Sequence, residues 1–168
     1  GKIRGGRIVV RRAVAGEPFR AINHKTYELT DRMCVIADAE RPVALAGVMG
    51  GADTEIGPDT TDLLLESAQF APLPVRAAAR GLVLASGSSY RFERGPDPAM
   101  VDWASRRAAA LILDLAGGML EAGIVEAGRL ACTPALISLD PGRVAEILGI
   151  AVQPQRQREI LTGLGFVA

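Results

Sequence analysis

Residues 63–68 read Leu-Leu-Leu-Glu-Ser-Ala, an apolar run broken by a single carboxylate, Glu66. If that run is a buried strand, Glu66 must have a partner, because a desolvated unpaired carboxylate costs several kcal/mol. Two chemistries meet the need: an ion pair with Arg76, Arg80, Arg91 or Arg94, or a carboxylate at the floor of a pocket, held ready for a hydrogen-bond donor on a ligand. His24 is the one histidine, so a Ser-His-Asp or Cys-His site exists only if His24 is its base. A lone histidine beside a turn is more often simply solvent-exposed. Gly47, Gly50 and Gly51 fit neither a dinucleotide fingerprint nor a phosphate-binding loop; they read as a tight turn, or as a wall where a ligand meets bare backbone. Cys34 and Cys132 are far apart and lie in or beside apolar runs, which suits reduced, buried thiols and gives no metal-site spacing. The run Tyr-Arg-Phe-Glu-Arg-Gly at 90–95 reads as an ordered loop stapled by Arg–Glu pairs.

The chain that must position these residues has 168 of them, 49% hydrophobic and 23% charged, enough for one sizeable core or a core with a small satellite. Aromatics are only 4%, so the core is built from Ala, Val, Leu and Ile, and stacking platforms for single-stranded nucleic acid are not expected. Nineteen basic and nineteen acidic side chains cancel, which excludes a uniform field that grips nucleic acid or membrane; any such contact must be local. No apolar stretch reaches the roughly 20 residues of a membrane span, and no export signal opens the chain, so a reducing cytoplasm is the expected setting. The first residue is Gly1 and the last follow a helix-like run, which reads as a piece of something longer.

The first half reads as mostly sheet, with strands over residues 7–12, 18–22, 26–29, 33–37 and 43–49, and a further strand over 63–68 carrying Glu66. Residues 72–80 form a short helix closed by Gly81, and 82–95 a loop. Asp97-Pro98 looks like the cap and first turn of a long helix whose apolar stripe, Val101, Ala104, Ala108, Leu111 or Ile112 and Leu115, is suited to packing on a sheet. A strand is expected at 124–127 and a linker at 128–134; two short helices, opening at Asp140-Pro141 and Pro154, then form a separate module too small to close a core alone. The predicted fold class is α+β, a mixed, partly barrel-like β-sheet core with packed helices followed by an incomplete helical module. The domains are 1–132 and 133–168.

Three motifs carry a resemblance. Ala-Leu-Ala-Gly-Val-Met-Gly-Gly at 44–51, Leu-Glu-Ser-Ala-Gln-Phe at 65–70, and Ser-Tyr-Arg-Phe-Glu-Arg-Gly at 89–95 followed by Asp97-Pro98 closely resemble, in order, the beta subunits of bacterial phenylalanyl-tRNA synthetases. The match runs from about Gly6 to Gly118 over the third and fourth modules, which in that family form the editing domain. The tail, with residues 143–149 and 160–166, resembles the opening of the fifth, winged-helix-like module. The resemblance implies a parent enzyme that attaches phenylalanine to tRNA(Phe) with ATP and Mg2+, as an alpha2-beta2 tetramer whose alpha subunit holds the synthetic site. These modules would hydrolyse tyrosine wrongly esterified to tRNA(Phe), the correction that a pocket poor at rejecting one extra hydroxyl requires.

By the same resemblance Glu66 receives the tyrosine hydroxyl, whereas phenylalanine would leave it desolvated and unpaired. Gly47 and Gly50 match the family's glycine wall; Ser86 and Ser88 stand where relatives commonly have Thr and Ala beside the substrate ring. Thr30 falls where many members carry a pocket histidine, and His24 lies six positions earlier. Hydrolysis would then use a water held by backbone groups and the tRNA's terminal hydroxyls. The alternative is a non-catalytic scaffold that contacts tRNA and the alpha subunit, its pocket vestigial.

Overall fold

A computed structural model of the chain describes residues 2–128 and 135–167. They carry the strands β1 (Val9–Arg12), β2 (Pro18–Arg20), β3 (Thr26–Glu28), β4 (Cys34–Ala37), β5 (Pro42–Leu45) and β6 (Met49–Gly50). The helices are α1 (Pro72–Gly81), α2 (Gly87–Phe92), α3 (Met100–Ala116), α4 (Pro141–Leu148) and α5 (Pro154–Gly163), with one 3-10 turn at Ala52–Thr54. The fold is α+β. Every pairing is antiparallel: one sheet has the order β1-β4-β5-β6, a second is the β2-β3 hairpin, and no barrel closes among the described residues. The chain divides into two compact units, Gly1–Cys132 and Thr133–Ala168.

β4 is the middle of the first unit and reads as a continuous apolar run because both its faces are covered. Val35 and Ala37 join Phe19, Leu29, Leu45, Val48 and the α1 residues Val75, Ala78 and Ala79 in the main core; Ile36 turns to a smaller cluster with Val43 and Ala46. The turn from β4 to β5 hangs on Asp38, a buried carboxylate that accepts backbone N–H groups from Arg4, Glu40 and Arg41 at 3.1, 2.8 and 2.9 Å. Burial alone would raise its pKa, but these three donors outweigh it and hold the carboxyl below its ordinary value. β1 is fixed to the loop before β2 by Arg11, whose guanidinium grips Glu17 at 2.6 and 2.9 Å.

Five expectations are corrected. The strand at 63–68 does not form: the segment carries no strand pairing, and its leucines are exposed rather than buried. Residues 82–95 are not all loop, because Ser86 and Ser89 close a capping box that starts α2. Asp97 does not cap the long helix; its carboxylate accepts the N–H of Ala99 in a preceding turn, and α3 begins at Met100. That helix buries none of its residues, with Trp103 60% and Leu115 82% exposed, so its stripe is not packed on the sheet. Residues 124–127 carry no strand either. Cys132 and most of the expected linker lie outside the described residues.

In the second unit α4 is capped by Asp140, which accepts from Gly142, with Pro141 in its first turn and Gly149 in the left-handed conformation at its end. Gln157 of α5 is buried and donates to the carbonyls of Pro141 and Val152 at 3.2 and 2.8 Å, satisfying both across the gap between the helices.

Candidate functional site

The strand expected over residues 43–49 is broken in two at Gly47, whose φ of +68° makes the turn between β5 and β6. A side chain is excluded here twice over. The conformation is one that L residues rarely adopt, and a Cβ would stand 2.9 Å from Val75, 3.1 Å from Phe70 and 3.3 Å from Phe92. Three elements therefore converge on one bare turn: α1 through Val75, α2 through Phe92, and the extended segment between them and the sheet through Phe70. The two phenylalanine rings meet at 5.2 Å between centroids, tilted by 59°.

Beside this turn opens a cleft of about 370 Å³, within the range of small-ligand sites. Its walls are largely apolar, from Ile22, Ile36, Met49, Phe70 and Phe92, and its backbone face is Gly47 and Gly50. Three side chains bring polarity: Glu66, Ser86 and Ser88. Ser86 is already committed. Its hydroxyl accepts the N–H of Ser89 at 3.0 Å and donates to the carbonyl of Val48 at 2.5 Å, which fastens the start of α2 to the Gly47 turn. Glu66 and Ser88 make no hydrogen bond or ion pair among the described residues, so among these the cleft holds one carboxyl group and one hydroxyl without a partner.

Of the two chemistries expected of Glu66, the arginine ion pair does not form among the described residues. Glu66 escapes the need for one because the residue is exposed where the cleft opens rather than enclosed in a strand. None of Arg76, Arg80, Arg91 and Arg94 reaches it: Arg94 pairs with Glu93 at 2.5 Å, and Arg91 donates to the Gly87 carbonyl at 2.8 Å. The surrounding protein still strips water from the carboxyl, and this desolvation, with no cation to oppose it, pushes its pKa up. Such a group gains when a ligand offers it a hydrogen.

Five of the residues singled out in the sequence, Glu66, Gly47, Gly50, Ser86 and Ser88, line the one cleft. Thr30 and His24 do not. Thr30 is exposed in the loop after β3, where its carbonyl accepts from Met33; His24 is exposed in the β2–β3 turn at a φ of +61°. The phenylalanines were missed as wall residues although both stand inside the quoted motifs, because nothing in their spacing says that they meet at Gly47. Among the described residues no three His, Cys, Asp or Glu side chains assemble as a metal site. The first unit also has a smaller cavity, about 140 Å³, between β2 and β5, in which the charges of Arg41 and Asp53 satisfy one another. Neither cavity has the carboxylate cluster or glycine-rich phosphate loop that ATP with Mg2+ would need, so these residues do not fit that pair.

Residues 1–117 match the family model described as the B3/4 domain. The chain is 44% identical over 164 residues to a protein of Rhodopirellula baltica named phenylalanine–tRNA ligase beta subunit, covering 98% of this chain and 24% of that one. Proteins of the same name from Anaeromyxobacter dehalogenans and Salinibacter ruber are 46% and 43% identical, over 98% and 95% of this chain and 21% and 19% of theirs. The chain thus spans about a fifth to a quarter of the length of these relatives.

Proposed function

This chain belongs to the B3/4 domain family, and from that membership and the chemistry of its cleft we propose that it is the proofreading part of a phenylalanine–tRNA ligase beta subunit. Its reaction is the hydrolysis of tyrosine wrongly esterified to tRNA(Phe). The observation that carries the reading is Glu66: a desolvated, unpaired carboxylate in an otherwise apolar cleft with room for one aromatic amino acid. A phenolic O–H donates to it; a phenyl ring gives it nothing and leaves it further desolvated. Phe70 and Phe92 flank the ring, and bare backbone at Gly47 and Gly50 lets the ester lie close to the sheet. Water then adds to the ester carbonyl, the ester C–O bond breaks, and tyrosine leaves while the tRNA recovers its terminal hydroxyl. With Glu66 engaged at the ring, no other lining side chain is a base near neutral pH, so a tRNA hydroxyl and backbone groups orient the water.

The ligase as a whole joins phenylalanine to its tRNA with ATP and Mg2+ as an alpha2-beta2 tetramer in the cytoplasm; ATP and metal are handled outside this chain, with the synthetic site on the alpha subunit. Residues 133–168 open the next helical module. One observation favours a second reading, a tRNA-binding and subunit-interface scaffold with a vestigial pocket: neither His24 nor Thr30 reaches the cleft. The deciding experiment compares cleavage of preformed tyrosyl-tRNA(Phe) and phenylalanyl-tRNA(Phe) by the full tetramer, wild type and Glu66→Ala. Loss of tyrosyl cleavage in the variant alone supports proofreading; no cleavage by the wild type turns the reading to the scaffold.

A further inference from the structure

From Ser67 to Phe92 the sequence contains three arginines, Arg76, Arg80 and Arg91, and no Asp, Glu or Lys. In a chain whose charges cancel to zero this is a local excess of one sign, and the fold gathers it on two neighbouring helices. Arg76 and Arg80 stand one turn apart on α1; Arg91 is on α2; all three are exposed. The seven ion pairs among the described residues include none of them. Both helices also touch the cleft. Val75, the residue before Arg76, abuts the Gly47 turn, and Ser88 and Phe92, on either side of Arg91, line the cleft itself.

We propose that Arg76, Arg80 and Arg91 form a docking face for the phosphate backbone of an RNA strand that enters the cleft from the α1–α2 side; the proposal rests on the proofreading reading for the identity of that RNA as the acceptor end of a tRNA. Three exposed guanidiniums without counter-charges are the chemistry that recognises phosphates, through charge and paired N–H donors. An RNA is favoured over an acidic protein surface by the aromatic next to them. Tyr90 is 60% exposed on α2, with the Arg94 guanidinium stacked 3.6 Å from its ring centroid, which gives unstacked bases a planar surface to lie against. Neutral net charge agrees with a contact this local: the face adds a few phosphate contacts at one mouth rather than a field over the whole molecule.

The test uses the full-length protein containing this chain, with its subunit partner, and an uncharged acceptor-stem RNA hairpin with a single-stranded 3′ tail as the probe. Its dissociation constant is measured by fluorescence anisotropy from low to moderate salt. In R76A/R80A/R91A the slope of log affinity against log salt falls by about 2, at roughly 0.7 for each phosphate contact on a single strand, and R76K/R80K/R91K restores most of it. A parallel reading follows tyrosyl-tRNA(Phe) cleavage: KM rises in the alanine variant while kcat holds. An unchanged salt slope overturns the docking face, as does a variant whose only defect is weaker association with the alpha subunit, which would make the face a protein interface. Binding of the uncharged hairpin does not depend on hydrolysis. A fallen slope with no tyrosyl cleavage by the wild type therefore refutes proofreading and leaves the docking face standing, whereas cleavage with an unchanged slope does the reverse.

Discussion

Replacing Glu66 separates a specificity carboxylate from a structural one, because the two make opposite demands on stability. Glu66 has no hydrogen bond or ion pair to lose among the described residues, and its desolvation penalises the charged form. Glu66→Ala should therefore leave the melting temperature unchanged or slightly raised at neutral pH, where breaking a buried ion pair would cost about 3–5 kcal/mol. The loss appears in selectivity. A hydrogen bond to a charged acceptor is worth about 1.5–3 kcal/mol, so the preference for tyrosyl over phenylalanyl ester falls by roughly 10- to 150-fold in Glu66→Ala. It falls less in Glu66→Gln, whose amide oxygen still accepts but carries no charge.

The pH dependence has a definite sign. Because the folded pKa of Glu66 lies above the unfolded one, the folded state holds the proton longer. Stability therefore declines as pH rises from about 4.3 through the raised folded value, and Glu66→Gln removes that decline. Tyrosine selectivity runs the other way, since only the carboxylate accepts the phenol fully: it is present above the folded pKa and is lost as pH falls through it. Single-turnover deacylation of both esters, paired with thermal melts across pH 4–8, reads all of this. A melting loss equivalent to more than about 2 kcal/mol in Glu66→Ala, or selectivity that does not move, would refute the reasoning.

Gly47→Ala forces a side chain into a left-handed turn against Val75 and Phe70, and should cost about 1–3 kcal/mol in denaturant unfolding while constricting the cleft; a neutral result means the turn can flip. Ser86→Ala loses the α2 cap and the tie to Val48 together, lowering stability by about 1–2 kcal/mol, whereas Ser86→Thr retains both; equal melts for the two would deny the cap its role. Asp38 has a depressed folded pKa, so its contribution is present above about 3.9 and vanishes as pH falls through the folded value; Asp38→Ala should cost about 2–3 kcal/mol at neutral pH and flatten that acid limb in an unfolding titration.

The elements that were legible in the sequence are those whose signals are local. β1 and β4 announce themselves by short β-branched runs, β2 and β3 by short extended pieces on either side of the Asn23-His24 turn, and α4 by Asp140, Pro141 and Gly149 at the three places where a helix needs them. α2 was illegible because its cap is made by serines in a stretch, Ser-Gly-Ser-Ser, whose composition is that of a loop. The three leucines before Glu66 mislead for a different reason: apolar character says that a segment gains from being covered, and nothing about whether a neighbour is there to cover it. The same holds for the stripe on α3. From that error followed the ion-pair alternative for Glu66, since burial in a strand was the premise of the pairing; the alternative of a carboxylate held ready in a pocket did not depend on it. The turn at Gly47 could be foreseen as a break in a strand; the meeting of Val75, Phe70 and Phe92 upon it is a product of long-range topology, to which spacing along the chain is blind.

The pairing of β1 with β4 sets an order of events for the folding chain. Val9 faces Ala37 and Arg12 faces Cys34, so the sheet closes around an intervening hairpin that pairs only with itself, apart from one bridge from Ala21 to Gly51. The β2–β3 hairpin closes a short loop and forms on the microsecond scale; it draws the ends of β1 and β4 together and lowers the entropy that their own closure would otherwise cost. Substitutions at His24 itself, which does not line the cleft, are then felt first as slower refolding rather than as lost binding, and the hairpin acts as a staging post for the strands that carry the Gly47 turn.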